Sequence, residues 1–104
     1  MIADEKMLPA VITDTETGLD KPKQYYVVMH NDATTPFDFV IEVLNQLFHH
    51  SIETASELAN KIHIENNAIV GMYYQEIAEQ KVEETTRAAR SHAFTLTTTI
   101  EPTE

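Results

Sequence analysis

The chain has 104 residues, 17 of them acidic and 7 basic, for a net charge of −10. That length fits one domain with a modest core, and an excess of negative charge repels phosphate backbones, which argues against nucleic acid as a partner. No apolar run approaches the ~20 residues of a bilayer-spanning helix, and with no cysteine there is neither a disulfide nor a thiolate metal site. Met1 to Lys6 lacks the cationic patch and apolar stretch of a secretory signal, so a cytoplasmic location is expected. The acidity itself has two readings: it keeps a small protein in solution, or it suits a partner with basic features.

Residues 1 to 23 carry Pro9, Pro22, Gly18 and many charges without a sustained period, and read as a flexible tail ahead of a folded domain spanning 24–101. Tyr25 to Met29 is a short β-branched and aromatic run typical of a strand. His30 to Thr34 is a polar loop. Thr35-Pro36 then predicts a helix start, with Thr35 as the cap, Pro36 at the first helical position and Asp38 near the positive end of the dipole. Phe37, Val40, Ile41, Leu44, Leu47 and Phe48 recur at helical spacing.

A second helix is expected from Ile52 to Ile62, capped by Ser51, with Ile52, Ala55, Ala59 and Ile62 on one face. His63 to Asn67 reads as a connection whose Asn pair can take a left-handed turn. Ala68 to Tyr73 reads as a second strand and Gln75 to Arg90 as a third helix, with Ala78, Val82, Thr85 and Ala89 inward. Phe94, Leu96, Thr98 and Ile100 alternate as a third strand, followed by a loose end, Glu101 to Glu104. The order β-α-α-β-α-β makes an α+β domain: a three-stranded antiparallel sheet covered on one side by three helices.

Catalytic chemistry finds little support. Serine occurs only at 51, 56 and 91, none in a Gly-x-Ser-x-Gly turn, and two glycines cannot form a phosphate-cradling loop. Most carboxylates, such as Glu76, Glu79, Glu83 and Glu84, fall on solvated helix faces. Five histidines raise the question of a metal, but His49 and His50 point about 100° apart on a helix and no His-x-x-x-His pair occurs. The loop at 30–35 is more informative. Asn31 and Asp32 sit between a strand and a helix start, where an amide oxygen and a carboxylate can accept hydrogen bonds from an ammonium group. They equally suit Asx turns, and His63 at a helix end equally suits a terminal carbonyl.

Asn31-Asp32-Ala33-Thr34-Thr35-Pro36-Phe37-Asp38-Phe39-Val40 resembles the ClpS signature Asn-Asp-Asp-aromatic-Thr-Pro-Met-Glu-Phe-Val. Ile62-His63, followed by Ala68-Ile69-Val70-Gly71, resembles the same family's Val-His and Ala-Ile-Cys-Gly pair. Glu76, Ala78, Glu79, Lys81 and Val82 match its third helix. The resemblance implies a fold like the C-terminal domain of ribosomal stalk proteins. It implies an adaptor that binds N-degrons, proteins starting with Leu, Phe, Tyr or Trp, and hands them to a ClpA- or ClpC-type unfoldase and protease. On that likeness Asn31, Asp32 and His63 hold the α-amino group, Thr35 stands at the pocket edge, and Phe37, Val40, Ala59, Ile62 and Leu96 line the pocket. Glu76 and Lys81 dock on the unfoldase N-terminal domain. A monomer without catalytic residues, cofactor or metal is expected. Four positions depart from the pattern: Ala33 replaces the second Asp, Thr34 the aromatic, Phe37 the gating Met, and Ala59 a frequent Met. The alternatives are a divergent relative that docks on the unfoldase without binding N-degrons, and a His/carboxylate metal-dependent enzyme.

Overall fold

The computed structural model describes residues 23–104, so the expected tail lies, apart from Lys23, outside the described residues. Six elements follow in the anticipated order: β1 (Gln24–His30), α1 (Phe37–Gln46), α2 (Ile52–Glu65), β2 (Asn67–Tyr74), α3 (Gln75–Ser91) and β3 (Thr97–Pro102). The sheet order is β2-β1-β3, both pairs antiparallel. β1 is therefore central, and its Val27 and Met29 are fully buried. Their side chains share one face of the pleat and join Val40, Val43, Leu44, Phe48, Ala55, Ala59, Ile62, Ala78, Ala89 and Leu96 in a single core cluster. Val28, on the opposite face by the period of two, is nearly as buried yet lies outside that cluster.

Local chemistry explains most boundaries. Ser51 accepts a hydrogen bond from the Thr54 N–H at 3.1 Å, as an N-cap hydroxyl should. Asn66 ends α2 in the left-handed region at φ 77°, which asparagine tolerates. At Gly71 a Cβ would sit 2.6 Å from the Tyr73 ring, which folds back over the same face of β2, so a side chain there would need that ring to move.

Four expectations are corrected. The cap of α1 is Pro36 and not Thr35. Its carbonyl accepts from Phe39 and Val40 at 3.1 and 3.3 Å, while the Thr35 hydroxyl turns away to Asp32. Helix α2 runs on through His63, Ile64 and Glu65, and Ile52 at its start is 56% exposed, not a core residue. The last strand begins only at Thr97. Phe94 and Leu96 belong to the preceding turn, which Ala93 enters with φ 63° and Arg90 braces from its guanidinium. Glu101 and Pro102 are not loose: Pro102 pairs with Tyr25, and the Thr103 N–H donates to the Gln24 carbonyl at 3.3 Å.

A register shift interrupts the β1–β2 ladder, where Val27 faces Gly71 but Val28 faces Ile69, leaving Val70 as the extra residue of a bulge. His50 donates from Nε2 to the Val70 carbonyl at 2.7 Å, and its own carbonyl accepts from the Asn45 amide at 2.8 Å. The α1–α2 connection is thus tied to the sheet at its irregular point.

Two buried hydroxyls, Thr85 and Thr98, have no hydrogen-bond partner among the described residues. Burying an unpaired hydroxyl costs about 1–3 kcal/mol. Thr85 is wholly inaccessible, and Thr85→Val keeps its shape while removing that cost. The variant is expected to gain about 1 kcal/mol of stability, read as a melting point roughly 4–8 °C higher. A melting point lowered by the change would mean that the hydroxyl is satisfied.

Candidate functional site

A cleft of about 400 Å³ opens between the β1–α1 loop and the two helices after it, lined by Asn31, Asp32, Ala33, Thr35, Phe37, Val40, Ala59, Ile62 and His63. Helical geometry accounts for the grouping. Ala59, Ile62 and His63 stand at i, i+3 and i+4 on α2, and Phe37 and Val40 at i and i+3 on α1, so each set shares one face. The floor is apolar and inaccessible: Val40, Ala59 and Ile62 are at most 7% exposed. Asn31, Ala33, Phe37 and His63 form an exposed rim. Phe37 leaves 45% of its surface in solvent at the mouth.

One backbone contact brings the two polar ends of the rim together. The Asn31 N–H donates to the Asn66 carbonyl at 2.8 Å, joining the loop to the end of α2, three residues beyond His63. The neighbouring pair His30 and Asn67 continues this contact into the sheet.

Asp32 is held differently. Its Oδ2 accepts from the Thr34 N–H at 3.0 Å, the Thr34 hydroxyl at 2.6 Å and the Thr35 hydroxyl at 2.8 Å, and its Oδ1 accepts from the Thr95 hydroxyl at 2.8 Å. The Thr34 hydroxyl, with the other donors, outweighs desolvation and lowers its pKa from 3.8 to about 2. What these bonds contribute to stability is complete above pH 3.8 and is lost as pH falls through about 2.

Of the pocket residues expected from sequence, Leu96 is absent from the lining. It is 1% exposed and packs in the core, with its carbonyl accepting from Arg90 at 2.9 Å. Ala33 lines the cleft instead. Sequence reasoning also missed Thr34 and Thr95 as partners of Asp32; only a threonine-rich stretch, Thr95 to Thr99, hinted at them.

Glu76 and Lys81 stand apart from this cleft. Glu76 is exposed in the first turn of α3 and borders a second hollow of about 350 Å³ with Lys23, Tyr25, Tyr74 and Gln75. Lys81 is half-buried, donating to the Leu47 carbonyl at 2.6 Å with its ammonium 5.9 Å from the Tyr73 ring centre. Five residues along a helix is a rotation of roughly 140°, so the two side chains point in different directions. Among the described residues no three His, Asp or Glu side chains gather where a metal ion would sit. Nor, among them, is any helix long and apolar enough to cross a membrane.

Residues 20–99 match the family model described as ATP-dependent Clp protease adaptor protein ClpS. The ATP-dependent Clp protease adapter protein ClpS of Vibrio atlanticus is 45% identical over 85 residues, covering 82% of this chain and 80% of that protein. The protein of the same description from Campylobacter jejuni is 39% identical over 94 residues, covering 90% and 98%. The structure of Agrobacterium tumefaciens ClpS2 bound to L-phenylalaninamide superposes with a TM-score of 0.77 at 35% identity, covering 79% of this chain and 99% of that one. The family is one of substrate adaptors and not of enzymes. By family model, sequence identity and fold together, this chain belongs to the ClpS family of ATP-dependent Clp protease adaptors.

Proposed function

We propose that this adaptor binds proteins through a free N-terminal Leu, Phe, Tyr or Trp and delivers them to a ClpA- or ClpC-type AAA+ unfoldase. The observation that carries the proposal is the cleft itself: an inaccessible apolar floor of Val40, Ala59 and Ile62 beneath a rim that holds Asn31 and His63 together. The first side chain of a substrate enters the apolar part, where burying a Leu or Phe contributes about 1.5–3 kcal/mol. The Asn31 amide oxygen and an unprotonated His63 nitrogen accept from the terminal ammonium and hold the first peptide unit. Asp32 adds negative charge beside them. An internal residue has no ammonium to offer, so it leaves those acceptors unpaired and is rejected. L-phenylalaninamide, the molecule bound to the related ClpS2, has the matching chemistry: a free amino group, an apolar side chain and a carboxamide in place of the first peptide bond. Glu76 and Lys81, set on different sides of α3, are assigned to unfoldase docking.

Fluorescence anisotropy with labelled peptides beginning Leu, Phe, Tyr, Trp or Ala, and with N-acetyl-Leu as control, tests the proposal. Binding of the bulky starts but not of Ala or the acetylated peptide is expected. Flat curves for every peptide would favour the second reading, a relative that docks on the unfoldase without holding N-degrons. Ala33, which puts a methyl where the family places a carboxylate, is the feature on that side.

A further inference from the structure

The polar rim stands on one loop, and that loop is fastened from the far end of the chain. Thr95 lies in the connection between α3 and β3, 63 residues beyond Asp32, and does not line the cleft. Its hydroxyl donates to Asp32 Oδ1 at 2.8 Å, and its N–H donates to Thr34 Oγ1 at 3.1 Å. A carboxylate presents about four lone-pair sites. Four donors meet it unevenly: the Thr34 N–H and the Thr34 and Thr35 hydroxyls converge on Oδ2, while Oδ1 takes the Thr95 hydroxyl. The protons balance as well. Each hydroxyl spends its single hydrogen on Asp32, which leaves the Thr34 oxygen able to accept the Thr95 N–H. The 2.9 Å between the Thr34 and Thr95 hydroxyl oxygens follows from their sharing one carboxylate.

The anchor is itself fixed. Arg90 Nη1 donates to the carbonyls of Phe94 and Leu96 at 2.8 and 2.9 Å, one on each side of Thr95. Leu96 is sunk in the core, and the Phe94 N–H returns to the Ala89 carbonyl at 2.9 Å. The loop therefore meets a rigid post through Asp32, in addition to the Asn31–Asn66 contact at its start.

We propose that Thr95 is a positioning residue for the amine-binding rim. Through Asp32 and Thr34 it fixes the loop that carries Asn31, and the Asp32 carboxylate is the hub of this clasp, not a direct partner of the bound ammonium. The proposal rests on the amine-binding reading above and adds to it a residue outside the cleft. A lowered pKa agrees with the assignment, because the hub stays ionised across the neutral range. Since the apolar walls come from α1 and α2, loosening the clasp disturbs the rim and leaves the choice of first side chain unchanged.

The full chain carrying Thr95→Val or Thr95→Ser tests this with three readouts: peptide affinity across the bulky starts, melting point, and hydrogen exchange at the Thr34 amide. Thr95→Val is expected to weaken every bulky-start peptide by roughly three- to tenfold, the worth of one hydrogen bond. The ranking holds, the melting point falls by no more than the loss of that one bond allows, and the Thr34 amide exchanges faster. Thr95→Ser, which returns the hydroxyl, restores affinity and protection. Wild-type affinity in Thr95→Val overturns the proposal, as does a Thr95→Ser as weak as Thr95→Val, or an altered ranking. Should wild type bind none of the peptides, the amine-binding reading fails on its own. The clasp is then decided by exchange alone, and an unchanged Thr34 rate in Thr95→Val sinks it.

Discussion

Asn31→Ala and His63→Ala are each expected to weaken binding of a Leu-initial peptide by roughly 10- to 100-fold. A hydrogen bond to a charged group is worth about 1.5–3 kcal/mol, and each 1.4 kcal/mol is about a factor of ten. Both side chains are exposed at the rim, so removing them exposes no core and leaves no buried group unpaired. The backbone bond from Asn31 to Asn66 survives the Asn31 change. Melting points close to wild type are therefore expected beside the loss of affinity. Anisotropy titration of each variant, with thermal unfolding as the fold control, checks this. Undiminished binding in either variant would remove that residue from the amine site.

Ala33→Asp is expected to act in the other direction, tightening free-amino peptides by a similar factor. Ala33 lines the cleft and lies outside the left-handed region, so an Asp side chain enters without backbone strain. Its oxygens would meet no preassigned donors, whereas both oxygens of Asp32 are already engaged by threonine groups. Asp32 cannot swing toward a ligand without giving up those bonds, so on the proposed reading a bound ammonium meets only neutral acceptors and a carboxylate already engaged. The new charge adds one free anionic acceptor at that place. The N-acetylated control separates causes, because it carries no ammonium and should gain nothing. Equal tightening of acetylated and free peptides would mean that position 33 alters the pocket and not the amine site.

The sequence made the helices and the cleft floor legible because both obey a period. Val40, Ala59 and Ile62 fall on inward faces by spacing alone, Ser51 announces its helix start by side-chain chemistry, and the Asn66-Asn67 pair announces a left-handed turn, though not where the helix stops. Asn31 and His63 were legible only through their likeness to a family pattern, since nothing local shows that a loop at 31 meets a helix end at 63. What stayed hidden were bonds that no local rule anticipates. Thr35 fits a cap, but Asp32 lies three residues back and offers its hydroxyl a charged partner, which wins over a neutral backbone N–H. Leu96 alternates with Thr98 as a strand would, yet Arg90 holds its carbonyl into a turn. Pro102 looked like an end, but on an edge strand its missing N–H costs the ladder nothing.

The bulge at Val70 bears on how the molecule behaves in company. β2 is an edge strand, and a long, even edge invites strand addition by another copy, which leads to aggregation. Here the repeat of backbone donors and acceptors is broken midway by an extra residue whose carbonyl is already claimed by His50. An incoming strand that matched one half of β2 would fall out of step with the other. The same irregularity that ties the helical hairpin to the sheet thus keeps this edge from serving as a template for its own kind.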